Sequence, residues 1–102
     1  MSQASKANSK NPRIGSNFED YLREEGQLEE ATSLAMKRIV SWEFSEAMRQ
    51  SAVSQAEMAR RMGTSRAVVH RLLDHTDPSV TLLTMTRAAT ALGRTMQFEL
   101  AA

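Results

Sequence analysis

The chain has 102 residues, 41% of them apolar, and a formal net charge of +1, which fits one small domain with a modest core. It has no cysteine, which excludes disulfides and cysteine–zinc sites and suits a reducing cytoplasm. No apolar run approaches the ~20 residues of a membrane span, and the polar start MSQASKANSKNPRIGSN lacks the apolar core of a secretory signal. A cytoplasmic protein is expected.

Residues 1–16 are rich in Ser, Asn and Lys and contain Pro12 and Gly15. They have almost nothing to bury, so a disordered, solubilising tail is expected. Residues 17–50 read as two N-terminal helices. Asn17 caps a short one that carries Phe18, Tyr21 and Leu22 on one side, and Gly26 stops it. A longer helix follows from Gln27 to Gln50. Its apolar residues form one row at Leu28, Ala31, Ala35, Ile39 and Trp42, and a second at Met36, Val40, Ala47 and Met48. Two rows make a stripe wider than one small domain needs. Either part of it faces another chain or the short helix folds back over it.

Charge is distributed unevenly. Six acids (Glu19, Asp20, Glu24, Glu25, Glu29, Glu30) stand against Arg23 alone in the first helices. Between Ser54 and His75, four arginines and two histidines oppose Glu57 and Asp74. An acidic half and a basic half suit two surfaces with different partners, although solvated helix faces explain any single cluster equally well.

Residues 51–93 hold the most specific pattern. Ser51, Ala52 and Val53 interrupt the helical period, and SQAEMARRMGTSRAVVHRLL runs from Ser54 to Leu73. Ser54 and Glu57 have the spacing of a capping box, in which the hydroxyl takes the amide at Glu57 and the carboxylate reaches back. Met58, Ala59 and Met62 share an inward face, and Ala59 is small enough for a close helix crossing. Gly63 supplies a turn, Thr64 and Ser65 supply caps, and Val69, Leu72 and Leu73 face inward again.

Arg66, Ala67, His70 and Arg71 lie on the opposite side of the second helix. The pattern is a helix-turn-helix, whose second helix protrudes far enough to enter a DNA major groove. Arg66 is long enough for a bidentate contact to guanine, Ala67 can meet a thymine methyl, and His70 and Arg71 reach bases or phosphates further along. Gln55 can bond a phosphate or brace the reading helix. The helix N-terminus at Ser54 favours a phosphate; beside the second helix start, Thr64 is a second expected phosphate contact and Ser65 an expected DNA contact. Arg60 and Arg61 are placed on the outer side of the first helix as solvated charge.

The segment Asp74–Val80 reads as a loop, because Asp77-Pro78 disfavours helix at the residue before proline. Thr81 caps a helix over Leu82–Leu92, and Gly93 stops it. Residues 94–100 alternate Met96, Phe98 and Leu100 with Thr95, Gln97 and Glu99, the period of a strand. A lone strand needs a partner, and the same strand of a second copy, antiparallel about a two-fold axis, supplies one.

The motif residues also carry a resemblance. Ser54-Gln55, Ala59, Gly63, Ser65, Val69 and Leu72 resemble the frame of Xre/Cro-type regulators, the group that contains the phage lambda repressor. That resemblance implies base contacts from Arg66, Ala67, His70 and Arg71 with support from Gln55. Leu73-Asp74-His75-Thr76 departs from the Glu-Asn-Gly-like turn of many members. From Phe18 to Leu100 the chain looks like the HigA-like antitoxins of type II toxin–antitoxin modules. This wider likeness implies a homodimer that binds its own operator, represses transcription and masks a cognate toxin.

The expected fold is therefore all-α, a lambda-repressor-like domain of about five helices with a short C-terminal β-strand for dimerisation. The alternatives are a solitary or phage-derived regulator, and a protein-interaction module that uses the acidic helices. His70 and His75 have no third ligand nearby, so no metal or cofactor is expected. The methionines read as core filling. No nucleophile elbow or paired-carboxylate pattern suggests an enzyme.

Overall fold

A computed structural model describes residues 14–101, with side chains from Phe18 onward. The order is α1 (Ile14–Ser51), α2 (Gln55–Met62), α3 (Arg66–Leu73) and α4 (Leu82–Ala91), all α-helix. Two compact units divide the chain after Thr32, within α1. Among the described residues no helix is long and apolar enough to cross a membrane.

The first unit corrects the expected boundaries. Residues 1–13 of the expected tail lie outside the described residues, but Ile14, Gly15 and Ser16 already belong to α1. The break expected at Gly26 is absent, so the two N-terminal helices are one, and the described residues form four helices rather than about five. A glycine inside a helix costs only about 1 kcal/mol relative to alanine. Its neighbours Leu22, Arg23, Glu24, Glu25, Gln27 and Leu28 are strong helix formers, and no proline follows within α1. Arg23 pairs with Asp20 at 2.9 Å one turn earlier. Phe18, Tyr21, Leu22 and Leu28 are all exposed.

The second unit holds the core. Phe44 and Met48 of α1 pack with Val53, with Met58, Ala59 and Met62 of α2, with Val69 and Leu72 of α3, and with Met85, Ala88 and Ala89 of α4. The expected inward faces of α2 and α3 are the buried ones, and Leu73 packs at their edge. On α1 only one of the two apolar rows is inward. Lys37, Ser41, Phe44, Ala47 and Met48 are buried, with Val40 half-buried. The row Leu28, Ala31, Ala35, Ile39, Trp42 is exposed throughout, and so is Met36. Four of the methionines fill the core as expected; Met36 does not.

Three helices end in one motif. After α1, Val53 N–H donates to Met48 O at 2.9 Å and Ala52 N–H to Arg49 O at 3.1 Å. After α2, Thr64 and Gly63 repeat this onto Ala59 and Arg60; after α4, Arg94 and Gly93 repeat it onto Ala89 and Thr90. The pivotal residues Ala52, Gly63 and Gly93 have φ of 57°, 68° and 69°. This is the Schellman arrangement, which satisfies the last helical carbonyls through a left-handed residue. The helix starts are equally local: Ser54, Ser65 and Thr81 each accept the amide three residues on.

Residues 94–100, the expected strand, form no strand among the described residues. A strand exists only by pairing, and the single chain offers this segment no second edge. Met96 packs against the core, while Phe98 and Leu100 stay exposed.

Candidate nucleic-acid interface

The two helices of the candidate site are short, eight residues each, and owe their placement to packing rather than length. Met58, Val69 and Leu72 are fully buried, which fixes the rotation of both helices and turns the other faces outward. Gly63 allows the chain to reverse between them at no steric cost.

Arg66, Ala67, His70 and Arg71 are all exposed on α3. Together with Gln55, Asp74 and Asp77 they line one open hollow. Five of the residues expected to read DNA are thus brought to a single surface. Among the described residues neither Arg66 nor Arg71 forms an ion pair, so both guanidinium groups keep their donors available.

Ser54, Thr64 and Ser65 do not line that hollow. The Ser54 hydroxyl accepts from Glu57 N at 3.1 Å, and the Ser65 hydroxyl from Val68 N at 3.4 Å. Each still has a hydroxyl proton to donate to a phosphate. The capping box is half made, because the Glu57 carboxylate turns away from Ser54 and binds Arg60 and Arg61. The bonds from these two arginines pull its pKa down to about 2. Arg61 also donates to Ala91 O at 3.2 Å, joining α2 to the end of α4. The pair expected as solvated charge therefore has a structural use.

Asp74 and Asp77 were not expected in the lining of the hollow. Asp74 Oδ1 accepts from the amide and hydroxyl of Thr76 at 2.9 and 2.6 Å. Asp77 does the same for Ser79 at 2.9 and 2.6 Å. These bonds hold both carboxyls below the usual aspartate range, so two fixed negative charges stand beside the basic surface. The signal was present in sequence as Asp-x-Thr and Asp-x-Ser, the spacing of a side-chain turn.

Lys37 and Ser41 were also missed. Lys37 is 3% exposed and Ser41 4%, and both reach the C-terminal end of α3. The clue was two polar residues in phase with the buried stripe of α1, four apart and just before Phe44 and Met48.

The C-terminal segment lines a second, more apolar hollow with α1. Met36, Ile39 and Phe44 line it together with Leu92, Met96 and Phe98, and Arg94 and Glu43 add charge to its lining. Arg94 donates to Gln50 Oε1 at 2.9 Å, which ties the start of the segment to α1. Among the described residues no group of three or more His, Asp or Glu could hold a metal.

The chain matches no family model, and neither a curated protein nor a solved structure is similar enough to count as a match.

Proposed function

We propose that the chain is a sequence-specific DNA-binding repressor that works as a homodimer in the cytoplasm, and that it serves as the antitoxin of a toxin–antitoxin module. One observation carries the DNA reading. Val69 and Leu72 are fully buried while Arg66, Ala67, His70 and Arg71 stay exposed with Gln55 beside them. A helix pinned by its inner face and unpaired on a basic outer face is what major-groove entry requires. Two copies related by a two-fold axis would place their α3 helices about 34 Å apart and read an inverted repeat.

The dimer reading draws support from exposed apolar groups in one region of the second unit. Met36, Ile39 and Phe98 are 58–67% exposed around one hollow, and beyond Arg94 the alternating run forms no backbone hydrogen bond among the described residues. Pairing that run with its copy would cover both. The toxin reading rests on the stretch of α1 up to Thr32, where Phe18, Tyr21, Leu22 and Leu28 are exposed among acids. An acidic amphipathic helix suits a basic partner with an apolar groove. If no such partner is encoded alongside, a solitary regulator is the better reading.

Footprinting on the chain's own upstream DNA tests the assignment. Arg66→Ala should weaken operator binding by about 1–3 kcal/mol and relax one base position in each half-site. An unchanged footprint and affinity would remove Arg66 from the reading surface.

A further inference from the structure

The end of α3 is built unlike the other three helix ends. No left-handed residue follows it: Asp74 has φ −85° and ψ 108°. Its carbonyls are satisfied instead by side chains of α1. Lys37 Nζ donates to Arg71 O at 2.8 Å, to Asp74 O at 2.8 Å and to Asp77 O at 2.6 Å. Ser41 Oγ, one turn later, donates to Leu72 O at 3.2 Å.

An ammonium has three donors, and here each is spent on a different carbonyl. The positive charge also sits where the helix dipole is negative. Asp74 and Asp77 commit their carboxylates to Thr76 and Ser79, so Lys37 is held by backbone and not by an ion pair. Burial lowers its pKa, against the opposing pull of Asp77 and Asp74. Such a buried charge is expensive unless fully bonded. It is an unusual way to end a helix of eight residues when a glycine would serve.

We propose that Lys37 is a positioning residue for DNA reading, which fixes the C-terminal end of α3 and the Asp74–Asp77 turn and so sets the angle of the Arg66–Arg71 face. The inference rests on the DNA-reading assignment above. Lys37 touches no base or phosphate in this scheme. Its effect is on discrimination, because base contacts depend on geometry while nonspecific binding depends on charge.

The test uses the full chain with Lys37→Met and Lys37→Arg. Methionine keeps the stem and loses the donors. Arginine keeps the charge, but its planar fork differs from a compact ammonium in geometry. Binding is measured by fluorescence anisotropy on the upstream operator duplex and on a scrambled duplex of equal length, below the melting temperature of each variant. Amide hydrogen exchange is followed in the same proteins.

Both variants should exchange faster at the amides of Asp74, Thr76 and Asp77, with Met58 to Met62 still protected. Operator affinity should fall at least about tenfold with scrambled-duplex affinity unchanged, a loss of specificity ratio. Equal losses on both duplexes, or wild-type exchange at Asp74–Asp77, overturn the proposal. If Lys37→Met does not fold, Lys37→Arg carries the comparison. A wild-type chain that does not prefer its operator would instead sink the DNA-reading assignment, and exchange alone would then decide whether Lys37 fixes the end of α3.

Discussion

Exchanging glycine and alanine at four positions should change stability with signs set by φ. At Gly63 an added Cβ meets no atom within 4 Å, so the only cost is conformational. An L-residue in the left-handed region costs roughly 1–2 kcal/mol, and the stiffer unfolded chain returns about 0.4–1 kcal/mol of that. Gly63→Ala should therefore lose about 1 kcal/mol, and Gly93→Ala, with φ +69° and the same open surroundings, should lose as much. Ala52 already occupies such a position at φ 57°, so Ala52→Gly should gain up to about 1 kcal/mol by the reverse balance. Gly26 lies inside α1 with nothing within 4 Å, and Gly26→Ala should raise helicity, worth about 0.5–1 kcal/mol. Urea unfolding followed by circular dichroism reads the first three. A shift of 1 kcal/mol moves the melting point of so small a unit by roughly 4–8 °C, well within measurement. A neutral Gly63→Ala, or an Ala52→Gly that destabilises, would refute the turn geometry. A Gly26→Ala that lowers helicity would restore the break that the sequence suggested.

Leu72→Ala should cost about 2–5 kcal/mol for the lost burial and the cavity left, whereas Leu83→Ala, 58% exposed, should stay within about 0.5 kcal/mol; similar losses in urea melts would mean that α3 is not packed as described. Glu57 is held at about 2 from a reference of 4.5 by Arg60 and Arg61. Its contribution is complete above the reference value and is lost as pH falls toward 2, since only the unfolded state then takes up the proton. The melting-point gap between wild type and Glu57→Gln should accordingly narrow over that window, and a gap independent of pH contradicts the pairing. Phe98→Asp should give a monomer by analytical ultracentrifugation at concentrations where wild type is dimeric, with its helical spectrum unchanged; a persistent dimer would argue against pairing through residues 94–100.

The local signals in the sequence translated well. Ser54, Ser65 and Thr81 act as caps, Gly63 and Gly93 as left-handed stops, and Met58, Ala59, Met62, Val69 and Leu72 as buried faces, because each depends on neighbours within a few residues. Gly26 misled, since glycine stops a helix only when the following chain turns away, and here strong helix formers continue. Period alone could not choose between the two rows of α1. Ile39 and Trp42 looked as suitable for burial as Val40 and Met48, and tertiary packing made the choice. Lys37 was visible only as a polar residue in phase with the buried stripe; its role was not, because its three carbonyl partners lie 34–40 residues away. The basic face of α3 was readable residue by residue; Asp-x-Thr and Asp-x-Ser signalled the Asp74 and Asp77 turns, but their place beside that face is a matter of tertiary packing.

In the proposed function α3 reads DNA through Arg66, Ala67, His70 and Arg71. The most direct measurement is anisotropy of the wild-type chain on its own upstream duplex and a scrambled one, over a series of salt concentrations. Operator binding should be the tighter at every salt, and both affinities should fall steeply as salt rises. Equal affinity for the two duplexes, or binding indifferent to salt, would contradict DNA reading by α3.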